Sequence, residues 1–250
     1  MKSKKWQEKS FRNYPSGSLR ALVIGSFILL AACGAESVDT AQENMASDTL
    51  AEMSSQTVLV PLPGMEGSVP EITRKTTILM RTGTGELTVE IYPEAAPNAA
   101  ARFVELVEAG FYNNTPVFRV VPDFVVQFGI NWREPFPQWQ DNNFNDDPTL
   151  FALERGTLAF AKAGPDTNST QVFINAVENN RLASSDLNFT VFGKVVSGME
   201  AVDAFIPVGA PGGGLDQERL WSDGAAYLDS LATKPVMIEE AIVVNSPDSP

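Results

Sequence analysis

The sequence predicts a mainly β domain, a barrel or a sandwich, and three observations carry that expectation. Eight strand-like runs follow one another between residues 76 and 244. Where the pattern is cleanest, Leu87-Thr88-Val89-Glu90-Ile91, apolar and polar residues alternate, giving one inward and one outward face as an antiparallel sheet requires. Only two segments show helical periodicity, so helices are the minority element.

Taken in order, Thr76–Arg81 and Glu86–Tyr92 form the first two strands. Gly83-Thr84-Gly85 joins them; because it opens no helix, it reads as a tight hairpin turn and not as a phosphate loop. A helix follows over Pro97–Ala109. Pro97 suits a first turn, Ala99, Phe103, Leu106 and Val107 make one apolar stripe, and Gly110 supplies the stop. Strands are then expected at Val117–Val121, Phe124–Phe128, Thr157–Ala161, Val172–Ala176, Phe189–Val196 and Val236–Val244, with a second helix at Gly198–Phe205. The stretch Ile130–Leu150 carries Trp132, Phe136 and Trp139 and reads as an aromatic loop. Gly212-Gly213-Gly214 reads as a loop hinge, and no internal repeat is present.

The N-terminus has a different character. Lys2, Lys4, Lys5, Lys9, Arg12 and Arg20 precede the apolar run Ala21–Ala32, the basic head and short apolar core of a secretory signal, and that run is too short to span a bilayer comfortably. Leu30-Ala31-Ala32-Cys33 resembles the cleavage and lipidation box of bacterial lipoproteins, with Cys33, the sole cysteine, as the acylated residue. The expected organisation is a signal peptide at 1–32, a flexible acidic tether at 33–70, with a short ordered arm on the domain as the alternative, and the β domain at 71–250. Cleavage before Cys33 removes six basic residues and Glu8, so the formal charge of −13 becomes −18. So acidic a chain disfavours nucleic acid and anionic membrane surfaces as partners, and attachment must come from the lipid. Gly34 after the cysteine resembles outer-membrane sorting, so the expected location is the cell envelope, at the outer membrane facing the periplasm.

The chain contains no histidine. That removes the usual general base, the usual zinc ligand and every Ser-His-Asp or Cys-His arrangement. Asp146-Asp147 and Glu239-Glu240 are adjacent pairs whose members point apart in extended backbone, and they read as solvated surface. No metal or cofactor is implied.

What remains is Arg119 and Gln127 in the otherwise apolar run Val117–Gly129 (VFRVVPDFVVQFG). If Pro122-Asp123-Phe124 forms a three-residue turn, Val121 pairs with Val125 and Arg119 with Gln127, on one face. A two-residue turn puts them on opposite faces, and the residues alone leave both registers open.

These runs occur in a telling order. Gly85 to Pro97 (GELTVEIYPEAAP), Gly110-Phe111-Tyr112, Val117–Gly129, Gly156–Phe173 (GTLAFAKAGPDTNSTQVF) and Phe189–Val195 (FTVFGKV) with Gly198-Met199 resemble the successive landmarks of the cyclophilins over roughly Arg74–Val244. The resemblance implies an eight-stranded antiparallel closed β-barrel capped by two helices, with Arg119 and Gln127 on a shared face. It implies a peptidyl-prolyl cis/trans isomerase, assisting protein folding, that acts on proline-containing polypeptides; a monomer is the separate expectation, one that the sequence itself does not give. Arg119, Gln127 and Phe124 match the family's catalytic positions. Val125, Phe173 and Phe192, with Phe124, match the proline pocket; Ala161, Lys162 and Ala163 match the segment along which the peptide lies; Gln171 matches a further peptide contact. Leu182 matches the pocket rim when a gap is allowed, and Ser184 when it is not.

Several positions depart from the family pattern. Phe118 stands in place of histidine, Phe128 in place of the first of two glycines, Val125 of methionine, Val172 of phenylalanine and Lys162 of asparagine. Ile130–Leu150 is not the usual glycine-rich segment, and Gly212–Leu231 reads as an insertion. The aromatic loop is expected to cover the peptide groove through Trp139. An alternative, favoured by the departures, is a catalytically weak proline-peptide-binding module or chaperone using the same groove.

Overall fold

The computed structural model describes residues 59–184 and 186–245. The expected signal segment, Cys33 and the tether up to residue 58 lie outside the described residues. Nine strands form one antiparallel sheet: β1 (Thr76–Thr82), β2 (Gly85–Ile91), β3 (Thr115–Pro116), β4 (Arg119–Val121), β5 (Val125–Phe128), β6 (Thr157–Phe160), β7 (Val172–Asn175), β8 (Val191–Ser197) and β9 (Met237–Asn245). Their order is β3-β9-β1-β2-β8-β6-β7-β5-β4. The ninth strand is the two-residue β3, which lies just before the expected strand Val117–Val121; β4 is that strand, shortened at its start. β3 and β4 are the edges of the sheet, yet they are consecutive in the chain. The Val117 amide donates to the Val236 carbonyl on one side, and the Phe118 amide donates to the Gln127 carbonyl on the other. The segment 115–121 thus hands over from β9 to β5 at a bend, and the sheet curls round with no β3–β4 ladder between its edges.

Alternation along each strand sorts the side chains. Val126 and Phe128 of β5, Leu158 and Phe160 of β6, Val172 and Ile174 of β7 and Phe192 of β8 point into the central core, with Ile78, Met80, Val89 and Ile91 from β1 and β2. Their alternate neighbours Val125, Ala159, Phe173 and Val191 belong to a second apolar cluster on the outer face. Phe128, where a glycine was expected from the resemblance, fills the interior against Tyr112 at 5.4 Å between ring centroids.

One end of the core is closed by α1 (Pro97–Glu108), which buries Ala99, Ala100, Phe103, Leu106 and Val107. The helix ends in a Schellman arrangement: Gly110 at φ 72° donates to the Val107 carbonyl and Phe111 donates to that of Leu106. At its start the amides of Asn98 and Ala99 donate to the two carboxylate oxygens of Asp147 at 3.2 and 2.9 Å. Asp146 accepts from Lys162 Nζ at 2.6 Å and from Asn168 Nδ2 at 2.6 Å. The expectation of a solvated acidic pair is therefore corrected: Asp147 is buried because it supplies the cap that Ala96 lacks. Burial outweighs those two bonds and pushes the Asp147 carboxyl above its ordinary value.

Residues 59–70 form the ordered arm that was the alternative to a flexible tether there. Leu59 is buried, the Leu62 amide donates to Leu150, the Ala152 amide donates to Val60, and Val69 packs on the outer cluster. Apolar residues spaced among Pro61, Pro63 and Gly64 form an irregular arm against the sheet, so the packed domain begins near residue 59 and not at residue 71.

Three further helices follow β8: α2 (Met199–Asp203), α3 (Gln217–Ser222) and α4 (Gly224–Ser230). The first of these, α2, was expected. The last two lie in the presumed insertion, where Leu215, Leu220 and Tyr227 form a third apolar cluster with Phe118 and Ile130. Asp216 caps α3 by accepting the Arg219 amide at 3.1 Å. No helix among the described residues is long and apolar enough to cross a membrane.

Candidate active site

The hairpin β4–β5 adopts the three-residue turn. Arg119 pairs with Gln127, Val120 with Val126 and Val121 with Val125. Asp123 takes φ 55° and the Phe124 amide closes the turn on the Val121 carbonyl. Asp tolerates this left-handed backbone, which is how the turn forms without glycine. Since Val120 faces the interior, Arg119 and Gln127 both emerge on the outer face.

There they form part of a continuous polar row. Arg119 Nη1 donates to Gln127 Oε1 at 3.1 Å, Gln127 Nε2 donates to Gln171 Oε1 at 2.8 Å, and Gln171 Nε2 donates to Gln217 Oε1 at 2.9 Å. At the other end Arg119 Nε donates to the Gly212 carbonyl at 2.8 Å. Desolvation lowers the Arg119 pKa, but a guanidinium starts from so high a value that it stays a cation at neutral pH. Its charge lies 5.9 Å from the centre of the Phe124 ring, over which Arg181 also sits at 4.8 Å.

Next to this row lies an apolar patch. Phe124, Val125, Phe173 and Leu182 share the outer cluster, with Ala161 and Phe189 packed against it. Leu182 enters through a short 3-10 turn, Asn180–Ala183. Phe192 is corrected: it is buried inside the barrel, 5.2 Å from Phe103 and 5.0 Å from Phe160 between ring centroids. The reason is strand parity, because Val191 already takes the outer face. Phe189 stands where Phe192 was expected, edge-on to Phe173 at 5.4 Å. Sequence reading also passed over Asn179, whose Nδ2 donates to the Phe124 carbonyl at 3.0 Å and to Asn175 Oδ1 at 2.9 Å.

Ala161, Lys162 and Ala163 run beside Gln171, the Ala161 amide donating to the Gln171 carbonyl at 2.8 Å. The Lys162 side chain is only 5% exposed and is committed to Asp146 and to the Asn188 carbonyl. Of this residue only the backbone is left for a peptide. A cavity of about 360 Å³ opens beyond Gln171, bounded by Asp141, Ala163, Thr167, Gln217 and Trp221. The aromatic loop does not cover the groove with Trp139. That ring lies 5.2 Å from the Arg102 guanidinium and packs on the central core, while Phe136 stacks edge-on to Phe111.

A family model described as "Cyclophilin type peptidyl-prolyl cis-trans isomerase/CLD" matches residues 77–213. Among curated proteins, the peptidyl-prolyl cis-trans isomerase of Acinetobacter baylyi is 38% identical over 134 residues, 51% of this chain and 70% of the relative. Peptidyl-prolyl cis-trans isomerase A of Dickeya dadantii is 30% identical over 180 residues, 69% of this chain and 86% of the relative. A solved Cryptosporidium parvum cyclophilin shares the fold, with TM-score 0.52 and 20% identity over 69% of this chain and 99% of its own. The chain belongs to the cyclophilin-type peptidyl-prolyl cis-trans isomerases, and proline-containing peptides are its substrates. The matched residues stop at Gly213, so α3 and α4 fall outside them.

Proposed function

We propose that Arg119 is the catalytic residue of this isomerase and that the patch around Phe124 grips the proline ring. The observation that carries the reading is a half-buried guanidinium held by Gln127 beside the apolar cluster of Phe124, Val125 and Phe173. Rotation about X-Pro meets a barrier of ~20 kcal/mol because the nitrogen lone pair is shared with the carbonyl. A cation directed at that nitrogen attracts the lone pair as it localises in the twisted state, and the pocket excludes the water that would screen it. Millisecond turnover needs roughly 5 to 7 kcal/mol of barrier lowering. One charge-assisted hydrogen bond contributes about 1.5 to 3 kcal/mol, so positioning by Gln127, Gln171 and the Ala161–Ala163 backbone supplies the remainder.

Addition of an unlabelled Ala-Pro peptide should shift the amide resonances of Phe124, Ala163, Gln171 and Phe189. Shifts centred elsewhere, with these four unmoved, would reject the site.

The enzyme acts in the bacterial cell envelope, held by a lipid on Cys33 at the outer membrane and facing the periplasm. The basic head, the apolar run and Leu30-Ala31-Ala32-Cys33 followed by Gly34 support this placement. A Cys33→Ala chain should leave the membrane fraction; unchanged partition would reject the anchor.

A further inference from the structure

We propose that the segment 209–222 is a positioning device for Arg119, gripping the polar row at both ends through the Gly212 carbonyl and the Gln217 side chain. The inference rests on reading Arg119 as the catalytic group.

The direction of the row follows from its first member. Arginine only donates, so Gln127 must turn its oxygen to Arg119 and its NH2 to Gln171. Gln171 must then turn its NH2 to the next residue, which has to accept, and Gln217 Oε1 does so. With the direction set by Arg119, the Gln217 oxygen closes the row by giving the Gln171 NH2 an acceptor on α3, and the bonds of such a chain strengthen one another. The opposite end is fixed by a backbone carbonyl, that of Gly212, on Arg119 Nε.

Both anchors belong to one segment, and that segment is itself held firmly. The Leu215 amide donates to the Phe118 carbonyl at 2.8 Å, one residue before Arg119. Gly214 approaches so closely that an added Cβ would come within 2.4 Å of the Phe118 carbonyl oxygen and 2.7 Å of Arg119 Cβ. Leu215 and Leu220 pack on Phe118, which is fully buried. The apolar residue beside Arg119 is therefore the seat of this segment, and Gln217 sits in the first turn of a helix capped by Asp216.

The test uses the Gln217→Met and Gln217→Glu chains, with kcat and KM for X-Pro exchange measured beside the Arg119 Nε–H resonance. Met removes the acceptor at similar volume and in a half-buried position, so the fold should survive. One hydrogen bond of this kind corresponds to a roughly two- to tenfold loss of kcat, with KM changed less, and the Arg119 resonance should move or broaden. Glu keeps the acceptor oxygen and should recover most of the rate and the original resonance. A Met chain with unchanged kcat and an unmoved resonance overturns the proposal, as does a Glu chain no better than Met. The Arg119→Ala chain separates the two readings: wild-type exchange there rejects Arg119 as the catalytic group, whereas the effect of Gln217 on the arginine is still decided by the resonance.

Discussion

Arg119 stands directly across the β4–β5 ladder from Gln127 and donates to its side-chain oxygen at 3.1 Å, while its Nε reaches the Gly212 carbonyl at 2.8 Å. Two acceptors on two different elements thus fix one planar guanidinium. An ammonium carries the same charge on a single nitrogen and has no such fork. Arg119→Lys should therefore keep the fold and the peptide affinity within a few-fold, yet lose about tenfold or more in kcat. A lysine chain turning over at the wild-type rate would show that charge alone suffices.

Phe128 tests how the interior is filled. It is 1% exposed and meets Tyr112 edge-on. Phe128→Gly should lower the unfolding free energy by about 3 to 5 kcal/mol, read from urea denaturation, because the neighbouring strands cannot close over the void. Exchange activity of the remaining folded protein at low temperature should fall much less.

Gly214 tests the contact made on Arg119 by the turn before α3. With φ 77° and backbone within 2.9 Å of a built Cβ, Gly214→Ala must displace the turn from Arg119. The expected result is a several-fold loss of kcat together with about 1 to 3 kcal/mol of stability, measured on the same preparation.

Asp147 sets a pH-dependent contribution with an unusual sign. Burial raises its folded-state pKa above 3.8. Its titration therefore adds stability that is fully present below the unfolded pKa and is lost as pH rises through the raised folded value. Asparagine does not titrate, so Asp147→Asn is the pH-independent reference for this contribution. In urea denaturation the stability of wild type relative to Asp147→Asn should fall as pH rises through the raised carboxyl value; a difference that grows with pH would contradict this.

Period-2 alternation and one proline-led helix made most of the barrel legible, because both are local patterns. The β4–β5 register followed from turn chemistry only when joined to the family likeness, since Pro122-Asp123-Phe124 alone permits two faces. Phe192 was misplaced although its parity was readable: in Phe189-Thr190-Val191-Phe192 the first and third residues share the outer face. The order of the arm at 59–70 and the burial of Asp147 are not legible locally for a common reason, that their partners lie on distant elements and leave no short-range pattern. The Asp216 cap ahead of Leu220 was the available sign of α3. Nothing local, however, connects Gln217 with Gln171, 46 residues away.

The most direct measurement is cis/trans exchange of a short X-Pro peptide by NMR with wild-type protein and with Arg119→Ala. Exchange accelerated by wild type and reduced roughly ten- to a hundredfold in the variant, with peptide shifts still induced by both, is the expected result. Equal acceleration by the two proteins would contradict the assignment of Arg119 as the group that stabilises the twisted amide.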